Sequence, residues 1–155
     1  MKKLNNAQMQ RIKAFGLTIE DIAKVEKSMG WRYDQHTKGG DIRFYVQQSR
    51  GRYEYIIWLH SNPESEVTIG VWMKHDKVKV QRLFRGKLGT WSPSGMTSDG
   101  YTDPGRNPER GHVGDWRTKI KAKDFVKNFN TIKKQVDEIE TKLNETGLQD
   151  VLKNL

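Results

Sequence analysis

The run Arg117-Thr118-Lys119-Ile120-Lys121-Ala122-Lys123 places a cation at every second position. Alternate side chains of a β-strand point to one face. An extended chain would therefore set Arg117, Lys119, Lys121 and Lys123 in one row, roughly 6.5–7 Å apart. A helix would scatter the same four around its axis. Such a row could follow the phosphates of an extended nucleic-acid strand. A solvated strand edge, on which lysines block aggregation, is the alternative. Lys77 and Lys79 predict a second basic row, continued by Arg82, Arg85 and Lys87.

Catalytic chemistry finds less to work with. His36, His60, His75 and His112 are widely spaced, with no i,i+4 partner and no acidic neighbour at a metal-binding spacing. Asp41 and Glu54 fall on neighbouring strands, but no Glu-x-Lys follows close after them. Asp99, Asp103, Glu109 and Asp115, with Arg106, Arg110 and His112, could assemble a phosphoryl-transfer site in residues 99–115. That would make a small metal-dependent nuclease. Ser-Asp-Gly and Thr-Asp-Pro-Gly are also ordinary turn signals, and no P-loop or dinucleotide fingerprint is present. The expectation is a protein without catalysis, metal or cofactor.

The composition agrees with a binding role. The chain has 155 residues, 28 basic against 19 acidic, and a net charge of +9. A basic excess favours acidic partners, nucleic acid first and an anionic membrane surface second. The charge is concentrated, since residues 117–134 hold seven basic residues and one acidic. Five Trp, five Tyr and five Phe argue for a folded domain. The absence of cysteine excludes disulfides and thiolate metal sites and fits a reducing compartment. With no apolar run of membrane-spanning length and no signal-like N-terminus, the expectation is a cytoplasmic protein without a membrane partner.

The elements that must position these residues follow from periodicity, and they predict one α+β domain over 1–155. Residues 1–30 read as a helical hairpin: Asn6 caps a helix over about 7–15. Thr18-Ile19-Glu20-Asp21 resembles a capping box, and Gly30 ends the second helix, whose stripe is Ile19, Ile22, Ala23 and Met29. Residues 31–85 alternate as an antiparallel meander, with strands near 42–46, 53–59, 67–73 and 77–81. Residues 86–116, holding 7 of the 14 glycines, read as a Gly/Pro-rich loop that could close over a ligand. A further strand is expected near His112–Trp116. Residues 117–155 supply the basic strand, completing a sheet of about five, and a long C-terminal amphipathic helix packed on one sheet face. Its stripe is Phe125, Phe129, Ile132, Val136, Ile139 and Leu143. The same stripe could instead pair two copies, so a monomer and a homodimer through this helix both stay open.

Alternation divides the meander into two faces. One is apolar, with Phe44, Tyr55, Ile57, Val67 and Ile69 among its members. The other interleaves Arg43, Tyr45, Trp58, Trp72, Lys77 and Lys79. If this second face is open, Tyr45, Trp58 and Trp72 can stack on bases; if the N-terminal helices cover it, the tryptophans are core.

Asp76-Lys-Val-Lys-Val-Gln-Arg-Leu-Phe-Arg-Gly-Lys-Leu-Gly-Thr-Trp91 resembles a KOW motif, which implies a nucleic-acid- or ribosome-associated barrel beginning with a Val-x-Val strand. The order of four antiparallel strands and a long helix, with Lys119-Ile-Lys-Ala-Lys-Asp-Phe125 at the turn, is similar to the PC4 and Whirly folds. That likeness implies single-stranded DNA binding. The expected function is non-catalytic nucleic-acid binding, DNA or RNA, mainly through phosphates and with weak sequence specificity. The alternatives are a phage- or plasmid-type modulator of a host protein complex, a ribosome-associated factor, and the nuclease.

Overall fold

The computed structural model describes residues 4–35, 39–46, 53–85, 87–88, 91–92, 95–98 and 107–154. The turn expected at Ser49-Arg50-Gly51, His36, and most of the Gly-rich stretch, including Asp99, Asp103 and Arg106, lie outside these residues.

The chain opens with a helical hairpin, each helix started by reciprocal capping. Helix α1 (Asn6–Ala14) is capped one residue earlier than its sequence suggests. Asn5 Oδ1 accepts from the Gln8 amide at 2.9 Å, and the Gln8 side chain accepts from the Asn5 amide at 2.8 Å. Helix α2 (Ile19–Met29) uses the expected Thr18/Asp21 box and ends at Gly30, whose φ of 69° suits a residue without Cβ. Its buried stripe is Ile22 and Val25, whereas Ile19 is exposed.

Six antiparallel strands form one sheet: β1 (Trp31–Tyr33), β2 (Ile42–Val46), β3 (Glu54–Leu59), β4 (Glu66–Lys74), β5 (Thr97–Ser98) and β6 (Arg110–Lys121). Their order is β1-β2-β3-β4-β6-β5. The meander expected from alternation holds through β4, and β6 then pairs with β4. Strand β6 starts inside the stretch expected to be a Gly/Pro-rich loop, and it covers the expected strand at His112–Trp116.

Residues 77–81 are not a strand. They begin helix α3 (Lys77–Phe84), where Asp76 Oδ1 accepts from the Lys79 amide at 2.9 Å. Lys-Val-Lys-Val fits both periods over four residues. The buried set Val80, Leu83 and Phe84 recurs at helical spacing, while Val78 is 53% exposed. Alternation predicted Val78 and Val80 on one buried face, and the helix separates them.

The long helix α4 (Phe125–Thr146) ends at Gly147, and a short helix α5 (Leu148–Val151) follows. Every residue of the expected α4 stripe is buried. Phe125 stacks on Phe44 at 5.3 Å and lies 6.4 Å from Trp31. Burying such a ring is worth roughly 1.5–3 kcal/mol. This stripe covers the chain's own sheet, which leaves no apolar seam on α4 for a homodimer.

The other helices sit on the same side. Val80 of α3 lies so close to Gly111 that an added Cβ there would stand 2.2 Å away. Lys24 of α2 reaches the Phe129 ring of α4, and the Arg11 charge of α1 acts on the phenol of Tyr33, which packs beside Phe44. Among the described residues, no helix packs on the opposite face of the sheet, and no helix is long and apolar enough to cross a membrane.

Candidate nucleic-acid interface

The helix-free face is a grid set by strand register. One row runs Arg43, Trp58, Thr68 and Arg117 across β2, β3, β4 and β6. The next row runs Arg32, Tyr45, Ile56, Gly70 and Asp115, starting from β1. A third holds Glu54, Trp72 and His112, and a fourth Lys74 and Arg110. Trp58 and Trp72 are therefore not core beneath the N-terminal helices; both are half-buried on the face those helices avoid.

Each large ring on this face carries an arginine. The Arg32 guanidinium lies 5.6 Å from the Tyr45 centroid, Arg43 lies 4.2 Å from Trp58, and Arg110 lies 5.9 Å from Trp72. Arg110 also pairs with Glu54. The Nε atoms of Arg43 and Arg110 are buried donors without a hydrogen-bond partner among the described residues. Hydrogen bonds anchor the rings from their rims: Trp58 Nε1 donates to Asp41 at 3.0 Å, and the Tyr45 hydroxyl donates to Asp34 at 3.4 Å. Burial, then the Asp34 charge, hold the Tyr45 phenol above its ordinary pKa, so it stays a neutral donor.

A histidine flanks each indole. His60 lies 4.6 Å from Trp58, its Nε2 2.9 Å from Thr68 Oγ1. His112 lies 4.7 Å from Trp72, its Nε2 2.9 Å from Asp115 Oδ1. Gly70 makes the Trp72 position possible. A Cβ there would sit 2.3 Å from Trp72 Cζ3 and 3.0 Å from Asp115 Oδ1, so the indole lies directly on the backbone.

The cation row at 117–123 is exposed but not regular. Glu66 pairs with Lys121 and Thr68 with Arg117, so four residues of β6 span two of β4. The excess makes a bulge. Lys119 sits in it with a left-handed φ of 63°, and Thr118 turns inward to donate to the Val67 carbonyl at 2.8 Å. Lys123 lies beyond the strand, in a 3-10 turn over Ala122–Asp124. The row also carries carboxylates. Lys121 and Lys123 reach Glu64 at 2.9 and 2.7 Å, and Arg117 lies 3.7 Å from Glu66. Hydrogen bonds from Lys123 and then Lys121 lower the Glu64 carboxyl to about 2, and Glu64 raises the Lys123 ammonium.

The second basic group lies elsewhere. Lys77, Lys79 and Arg82 ride on α3, Arg85 caps its C-terminus, and Lys87 lies in the following turn. This helix is on the covered side, over Gly111, roughly 20 Å along β6 from Arg117. The two rows expected to be neighbours do not share a surface.

A cleft of about 690 Å³ opens at the Arg110 end of the grid, lined by Arg32, Tyr45, Glu54, Lys74 and Glu109 among others. Of the acidic residues expected to serve a nuclease, Asp115 bonds His112 and Glu109 is exposed. Among the described residues, no group of three His, Asp or Glu could hold a metal ion. Sequence reading did not single out Arg32 or Gly70. Arg32 stands between the buried Trp31 and Tyr33 in a strand too short for a periodic signal. Gly70, a glycine inside a strand pattern, signalled a close approach.

Family models, curated proteins and solved structures yield no match to this chain. Helix α3 also removes the Val-x-Val strand on which the KOW resemblance rests.

Proposed function

We propose that this chain binds single-stranded nucleic acid on the helix-free face of its sheet. Bases stack on Tyr45, Trp58 and Trp72, and phosphates meet Arg32, Arg43, Arg110 and Arg117. The observation that carries this reading is the pairing of ring and guanidinium across adjacent strands, on a face that none of the described helices covers. Aromatic rings stack on any base, so the reading implies weak sequence specificity, and a broad sheet face suits a splayed single strand better than a duplex groove. The four arginines that strand register sets on this face, Arg32, Arg43, Arg110 and Arg117, support an acidic ligand. A cytoplasmic location belongs with this reading, in keeping with a chain that has no cysteine.

A salt titration of binding to single- and double-stranded DNA and RNA tests it. Log affinity for the single strand should fall by about 0.7 per neutralised phosphate for each unit of log salt. Trp58→Ala and Trp72→Ala should each cost about 1–3 kcal/mol of binding. Absence of single-strand binding at low salt would overturn the reading.

Glu54, Glu66 and Asp115 on the same grid favour a second reading, a protein partner of mixed charge. Co-purification of one defined protein after nuclease treatment, with no single-strand affinity, would select it.

A further inference from the structure

Glu64 stands in the turn between β3 and β4, and that turn is tied to the segment carrying the lysines. The Glu64 amide donates to Asn62 Oδ1 at 3.0 Å, and the Ser65 amide to the Asn62 carbonyl at 2.9 Å. Ala122 and Lys123 then donate backbone hydrogen bonds to the Ser65 and Pro63 carbonyls, at 2.9 and 3.0 Å. The carboxylate is thereby held opposite two ammonium groups, each of which takes a different oxygen: Lys121 Oε2 and Lys123 Oε1. This is how two cations would grip the two unesterified oxygens of a phosphodiester.

We propose that Lys121 and Lys123 form the seat for one backbone phosphate of a bound strand, and that the Glu64 carboxylate fills it until the strand arrives. The inference rests on the single-strand reading and extends it past the grid. Lys121 pairs with Glu66, and Arg117 with Thr68. Lys121 is therefore one same-face step of β4, roughly 7 Å, beyond the Arg43–Trp58–Thr68–Arg117 row. A strand crossing that row reaches the seat with its next phosphate. Displacement is cheap because all three side chains are about half exposed, and exposed pairs contribute little stability. The lowered Glu64 carboxyl shows that both ammonium groups act on one point. Two lysines with no resident anion would attract any polyanion; with Glu64 between them, only a ligand also held by the rings and Arg117 gains enough to displace it.

The test is fluorescence anisotropy with a labelled oligothymidylate of about 15 nucleotides, near the upper site size of single-strand modules. Glu64→Gln should tighten binding about three- to tenfold with the salt slope nearly unchanged, since the strand reaches the same seat in the parent, whereas loss of both lysines should flatten the slope by about 0.7, one phosphate's share. Lys121→Gln/Lys123→Gln should weaken binding, and adding Glu64→Gln to that pair should change nothing further. Glu145→Gln on α4 removes the same charge from an exposed position and should move affinity less than about twofold, being screened. If Glu64→Gln matches Glu145→Gln, or keeps its gain without the lysines, the seat is refuted and the single-strand reading stands. Binding by the Glu64→Gln variant alone would support the seat. Absence of binding by both it and the parent chain would refute both ideas.

Discussion

Replacing Gly70 by alanine sets two known effects against each other. Glycine inside a strand is conformationally costly, and alanine should recover roughly 0.5–1 kcal/mol. Against this, the new methyl would stand 2.3 Å from Trp72 Cζ3 and 2.6 Å from Cη2, with Asp115 Oδ1 at 3.0 Å. Ordinary contact begins near 3.4 Å. The indole would have to rise by about 1 Å, and overpacking of this kind costs about 1–3 kcal/mol. The clash therefore outweighs the propensity gain, and Gly70→Ala should lose about 1–2 kcal/mol net. For a chain of this size that lowers Tm by about 2–8 °C.

Thermal or urea unfolding, followed by tryptophan fluorescence, measures the loss. The decisive comparison is in a Trp72→Ala background. Without the indole, Gly70→Ala should become neutral, or stabilising by up to about 1 kcal/mol. A Gly70→Ala protein as stable as the parent, or an equal cost in both backgrounds, would refute the argument that Gly70 exists to seat the ring. Lifting the ring also breaks its 4.7 Å contact with His112, so the same variant should bind single strands more weakly.

Two further outcomes depend on ionisation and burial. The folded chain holds the Glu64 carboxyl at about 2 instead of 4.5. A depressed acid stabilises the fold above its unfolded value and loses that contribution as pH falls, so Glu64→Gln should flatten Tm against pH between 4.5 and 2, by a small amount because the exposed pair is screened. An unchanged acid limb would count against the clamp. The Tyr55 ring is fully buried and its hydroxyl has no partner among the described residues. Burial, then the Glu140 charge, push this phenol far above its ordinary value. The fold holds that proton more tightly than the unfolded chain, so stability should decline as pH rises above 10. Tyr55→Phe should remove that decline and leave stability at neutral pH unchanged or up to about 1 kcal/mol higher, by calorimetry, because no hydrogen bond is lost.

Most of the architecture is legible in the periods. The two N-terminal helices, strands β2 to β4 and helix α4 each carry a cap or an alternation long enough to be unambiguous. Helix α3 is not, because Lys77-Val78-Lys79-Val80 satisfies both periods, and the deciding residues Leu83 and Phe84 lie beyond the run. Strand β1 is three residues long, and β6 begins among glycines. The two faces of the sheet could also be read from alternation, but not which of them the helices cover. That choice follows from chemistry spread over several strands. One face offers Phe44, Tyr55, Ile57 and Ile69, each fully buried, to the helices. The other interrupts its apolar area with Arg43, Gly70 and Asp115, whose guanidinium and carboxylate would lose water under a helix.

The cations at 117–123 show why a one-dimensional pattern can be right about exposure and wrong about geometry. Strict alternation would have aligned four charges on one face at even spacing, with their mutual repulsion left to solvent. The bulge at Lys119 breaks that line, turning Thr118 inward to the Val67 carbonyl and carrying Lys121 and Lys123 to the β3–β4 turn. A regular row would attract any polyanion. The bulged segment instead concentrates two cations on one carboxylate and leaves Arg117 on the aromatic grid beside Glu66. Selectivity then depends on whether one ligand can engage rings and cations together, and that depends on register. A β6 with Lys119 and Ile120 deleted should restore the alternation, keeping Arg117 opposite Thr68 and Lys121 opposite Glu66 and setting the two cations side by side in one even row. The resulting chain should bind duplex and single-stranded DNA with more nearly equal affinity than the parent, measured at one salt concentration. Retained preference for the single strand would mean that the rings alone set it, and that the bulge matters only to the fold.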